Sequence, residues 1–84
     1  MNGQDISEQI EVIVHFALKG IRPIRFLWKG KPHQVKTVRG RWTTFEGHRQ
    51  SRHYAVTTKE IGNCELSFCQ ETMVWKLDSV ANSQ

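Results

Sequence analysis

HYAVTTKEIGNCELSFC, residues 53–69, decides the fold. Tyr54 and Val56 alternate with His53, Ala55 and Thr57, a period of two that turns one row of side chains inward and the other outward. Glu60 to Asn63 centres on Gly62 and reads as a hairpin turn, after which Cys64, Leu66 and Phe68 resume the alternation. Toward the C-terminus, a turn near Gln70 and Glu71 precedes Met73, Trp75 and Leu77, the expected inner row of a last strand.

Toward the N-terminus, Glu46 to Ser51 reads as a polar loop around Gly47. Gln34 to Phe45 is a long strand in which Val35 and Val38 fall on opposite faces, and a bulge or bend near Gly40 reconciles them. Lys29-Gly30-Lys31-Pro32 is a turn. Pro23 to Lys29 alternates, with Ile24, Phe26 and Trp28 opposite Arg25, Leu27 and Lys29. Residues 10–18 fit two patterns. Ile10, Ile13, Val14, Ala17, Leu18 and Ile21 make a helical stripe, whereas Ile10, Val12, Val14, Phe16 and Leu18 make a strand face. The β-branched content favours the strand. The expected fold is therefore all-β: one small antiparallel meander of five to six strands, curled into a half-open barrel or a strongly twisted sheet. It spans residues 10–80, between an N-terminal tail at 1–9 and a C-terminal tail at 81–84.

Eighty-four residues allow one domain with a modest core, and three Trp, four Phe and one Tyr make that core efficient. Phe26, Trp28, Phe68 and Trp75 fit core-facing alternation better than a ligand-stacking role. Two Cys do not make a disulfide framework. Residues 1–9 lack the cationic start and apolar run of a secretory signal, and no apolar stretch is long enough to span a membrane. A cytoplasmic protein with reduced thiols is expected.

The chemistry-bearing residues exclude more than they suggest. Cys64 and Cys69 are spaced unlike a Cys-x-x-Cys knuckle and point to opposite faces of a regular strand, so His33, His48, His53 and the two thiols do not predict a zinc site. Cys69 as a nucleophile needs a base, and His53 comes near only if the fourth and fifth strands pair. Glu60, Glu65, Glu71 and Asp78 lie near turns or alternate with core positions, so no acid–base carboxylate pair emerges. The sequence predicts no enzyme, no metal and no cofactor.

Charge is the remaining signal. Between Arg22 and Arg52 nine Lys or Arg residues accompany one acid, Glu46, for a net +8, and each flank carries −2. A concentrated basic segment is an electrostatic footprint for a polyanion. Arg25, Lys29, Arg39, Arg41, Arg49 and Arg52 are the candidate phosphate contacts, with Trp42 as the base-stacking platform beside them. The competing explanation is a solvated strand face kept charged against edge pairing.

Pro23-x-x-Phe26-x-Trp28-x-Gly30, Val35-x-x-Val38-x-x-Arg41-Trp42, Tyr54-x-Val56, Glu65-Leu66 and Trp75-x-Leu77 together resemble a small bacterial domain-of-unknown-function family. Its members stand alone or are appended to Y-family translesion DNA polymerases. The resemblance covers residues 10–80 and implies a shared fold; it carries no catalytic residues. The chain departs from the family pattern at His33 and in the basic loop from Gly47 to Arg52. The resemblance implies a DNA-repair setting, by analogy. The expected function is thus a non-catalytic accessory module that binds single-stranded nucleic acid. The alternative is a protein–protein adaptor or homodimer, linked to DNA repair, that uses the basic face or an exposed strand edge.

Overall fold

The computed structural model describes residues 3–81. Six strands follow one another: β1 (Gly3–Ala17), β2 (Gly20–Trp28), β3 (Lys31–Glu46), β4 (Arg49–Thr58), β5 (Gly62–Cys69) and β6 (Val74–Ala81). Each pairs antiparallel with the next, and β1 pairs with β6, so the meander closes into a barrel. No helix among the described residues is long and apolar enough to cross a membrane.

The expected meander and the strand at residues 10–18 are present. The expected N-terminal tail is not, from residue 3 on. Gly3–Ile10 pairs with β6, and the register shifts between Asp5 and Glu8. Most of these residues are polar, and apart from Ile6 and Ile10, which pack on the core, they belong to the ring mainly through backbone hydrogen bonds that composition does not reveal. At the other end Ala81 closes β6, and residues 82–84 lie outside the described residues. Two further expectations change. Gly47-His48 is a tight turn between Glu46 and Arg49, so the polar loop is mostly strand. Met73 is a turn residue, 71% exposed with φ 60°, because β6 begins only at Val74.

The long strands bend where extra residues intrude. On β3 the register shifts between Val35 and Thr37 and again between Val38 and Gly40. Each bulge absorbs one residue, and the first, at Lys36, lets Val35 and Val38 face inward together against Thr58 and Val56. Lys29 (φ 53°) and Gly30 (φ 75°) form the two-residue turn between Trp28 and Lys31. Positive φ at both positions is the type I′ geometry that matches strand twist.

The core is the shared inner row of this ring: Ile10, Phe26, Val35, Tyr54, Val56, Cys64, Leu66 and Leu77, with Trp28 and Trp75 packed against it. Phe68 is buried beside Trp75, ring centroids 5.0 Å apart. Burial in this apolar row pushes the Cys64 thiol up from its ordinary 9.0 to about 12, the nearby Arg39 charge opposing the rise. The folded state therefore keeps a proton that the unfolded chain releases above pH 9. Stability is expected to fall as pH rises from 9 toward 12, with a slope of at most about 1.4 kcal/mol per pH unit from this group. Denaturant melts of the native chain and Cys64→Ala on either side of pH 9 test this: the alkaline loss should shrink in the variant.

Candidate functional site: a basic cleft at the barrel mouth

The β1–β2, β3–β4 and β5–β6 turns share one end of the barrel, and the β2–β3 and β4–β5 turns share the other. β2 and β3 pair only from Arg25–Trp28 to Lys31–Gln34. Beyond that short ladder the β1–β2 hairpin and the long β3–β4 hairpin diverge, and a cleft of about 240 Å³ opens between them.

Register places its side chains. Directly opposed residues share a face. Arg41 opposes Tyr54 and Thr43 opposes Arg52, so both arginines lie on the inner face at the mouth, above the buried Tyr54. Gln50, on β4, joins them. The facing wall is Lys19, Gly20 and Ile21 from the β1–β2 hairpin. Three cations thus converge from three segments, and among the described residues no carboxylate lines the cleft. Among the described residues none of the three is in a salt bridge.

Trp42 stands at the rim, 41% exposed. It opposes His53 on the outer face, and the two rings stack with centroids 5.3 Å apart and an interplanar angle of 6°. His53 is itself held. Its Nε2 lies 2.7 Å from Thr44 Oγ1, and its Nδ1 lies 3.7 Å from Asp78 Oδ2. The Ser67 hydroxyl donates to Asp78 Oδ1 at 3.0 Å. Hydroxyl, imidazole and carboxylate stand in a row, but the Asp78 contact is longer than a hydrogen bond and one face of the imidazole is covered by Trp42. The Thr44 contact holds the ring against the tryptophan.

The other expected contacts are elsewhere. Arg25 lines a separate depression with Glu11 and Leu27. Lys29 sits at the opposite end, its Nζ 5.0 Å from the Trp28 ring. Arg39 occupies the β3 bulge and is exposed. Arg49 is bound to Glu71, Nε to Oε1 3.4 Å. Lys19 was missed by sequence reasoning, because it lies outside the basic segment and only the hairpin brings it to the cleft. His53 was missed as a support for Trp42, because their pairing depends on register across the β3–β4 hairpin.

β4 and β5 do pair, with Ser51 opposite Cys69 and His53 opposite Ser67. Cys69 is therefore one row diagonal to His53, about 7–8 Å between backbones in such a pairing. Its thiol is lowered, chiefly by a hydrogen bond from the Thr72 side chain. Among the described residues no His, Cys, Asp and Glu side chains gather into a metal-binding group.

No protein-family model, no curated protein and no solved structure matches this chain.

Proposed function

We propose that this barrel is a non-catalytic, cytoplasmic accessory module that binds single-stranded nucleic acid at the mouth cleft, in the DNA-repair setting the family resemblance implies. One observation carries the reading: Lys19, Arg41 and Arg52 line a single cleft with no carboxylate among the described residues, beside an exposed Trp42 stacked on His53. Clustered like charges repel unless an anion sits among them, and phosphate binding then gains from counterion release. The tryptophan offers a π-face to any base, which suits weak sequence preference.

Fluorescence anisotropy of labelled single-stranded DNA and RNA at two salt concentrations, with heparin as competitor, tests this. Binding should weaken steeply with salt and resist heparin. Trp42→Ala should weaken it by about 1–3 kcal/mol, and Trp42→Phe should restore part of that. Unchanged affinity in a folded Trp42→Ala would sink the stacking role, and no binding at low salt would sink the whole reading.

A second reading has its own observation. Among the described residues, 20–24 of β2 and 35–46 of β3 have no partner strand on the sides that face each other, and Phe16 and Phe45 at this end are 74% and 69% exposed. Free edges beside exposed aromatics suit addition of a partner strand, from a repair protein or a second copy. Sedimentation at rising concentration and high salt separates the copy from the foreign partner: edge pairing between copies would persist where phosphate contacts are screened.

A further inference from the structure

The cations of the basic segment do not form a track. Arg25 and Lys29 are remote from the cleft, and Arg49 is committed to Glu71. What remains is compact: Lys19, Arg41 and Arg52 around about 240 Å³, smaller than the usual range of small-molecule pockets. Its inner end meets Tyr54, which is 3% exposed and part of the core, so the cleft stops at the barrel interior. Its rim carries one stacking platform, Trp42.

We propose that the cleft recognises the phosphorylated end of a single strand: a terminal phosphomonoester among Lys19, Arg41 and Arg52, with the adjoining base on Trp42. This rests on the nucleic-acid reading and narrows it. An internal phosphodiester carries one negative charge and must be followed in both directions along the chain. A phosphomonoester carries about −1.5 to −2 near neutral pH and has three free oxygens. Three converging cations match that charge, and a fork such as an Arg guanidinium matches those oxygens. The floor of the cleft closes on Tyr54, so a phosphate that enters from the mouth stops there, which suits the end of a strand. The Thr43 hydroxyl and the Gln50 amide, in the same wall, add donors that suit a phosphate.

Three linear oligonucleotides of about eight nucleotides test it: one with a 5′-phosphate, one with a 3′-phosphate, and one with hydroxyls at both ends. One phosphorylated form should bind about tenfold tighter than the hydroxyl form, the effect of one added charge-assisted hydrogen bond. Lys19→Gln/Arg52→Gln should erase that difference while residual binding continues through Trp42. Equal affinity for all three would overturn the end assignment and leave the nucleic-acid reading standing, whereas no binding by any would end both. An advantage that survives in the double variant would place the site elsewhere on the molecule. A nucleoside monophosphate that competes as well as the oligonucleotide would make the ligand a free nucleotide, which overturns the strand-end claim.

Discussion

Leu77→Ala is expected to destabilise the barrel by about 2–5 kcal/mol, the cost of deleting a large aliphatic side chain from a packed core. Leu77 has no exposed surface, opposes Leu66, which also has none, and belongs to the cluster that includes Phe26 and Val56. The cavity cannot collapse easily, because its walls lie on different strands of a closed ring. At about 0.05–0.15 kcal/mol per residue a chain of this length has roughly 4–13 kcal/mol in total, so the loss is a large fraction of it. Each kcal/mol shifts the melting temperature of a domain this size by about 4–8 °C, and the melt should fall by roughly 8–40 °C. Thermal and urea denaturation followed by far-UV circular dichroism measure it. Leu27→Ala is the control: Leu27 is 42% exposed, and its loss should cost much less. Similar costs at both positions would contradict the assignment of the inner face.

Arg41→Gln/Arg52→Gln is expected to cut single-strand affinity by at least about a hundredfold, at about 1.5–3 kcal/mol for each charged hydrogen bond removed. The slope of log affinity against log salt should fall by about 1.4, from about 0.7 for each contact to a single strand. Arg25→Gln/Lys29→Gln removes the same formal charge from positions away from the cleft. It should change affinity far less, through general field effects alone. Equal losses in the two double variants would mean that the ligand follows the whole basic segment, and the cleft would lose its special standing. Both variants leave the core untouched, so their melts should stay close to the native one.

These two predictions draw on different kinds of information. Leu77, Leu66, Phe26 and Tyr54 were legible as core from alternation alone, because strand periodicity is local and each side chain reports its own face. The need for a bulge on β3 was legible for the same reason, because Val35 and Val38 could not both face inward on a regular strand. Its place near Gly40 was not: the register shift between Val35 and Thr37 resolves the conflict, and the shift between Val38 and Gly40 lies beyond both valines. The turn at Lys29-Gly30 follows from Gly30 and the break in alternation. Alternation misplaced Met73, where it was extended one step too far into a turn, and Phe16 and Leu18, which the strand face of residues 10–18 included but which are exposed at the end of the β1–β2 hairpin; it also missed the buried Pro23.

The candidate site was only half legible. Arg41, Trp42 and Arg52 were identified by charge and position, but Arg25, Lys29 and Arg49 looked equal to them in sequence and are not equal in space. Lys19 was invisible, since its role depends on a hairpin reaching across the barrel mouth. Ring closure was invisible as well. Residues 3–9, polar apart from Ile6, join β6 largely through backbone groups that every residue carries, whereas hydrophobic patterning registers only side chains.

Local chemistry along the chain thus determined the strands, their inward faces and the concentration of positive charge. Strand register, the closure of the ring through β1 and β6, and the gathering of Lys19, Arg41, Arg52 and the Trp42–His53 stack into one cleft came from the tertiary structure. The physical reason is that periodicity acts between neighbours in sequence, while pairing between distant strands is chosen by the packing of the whole core.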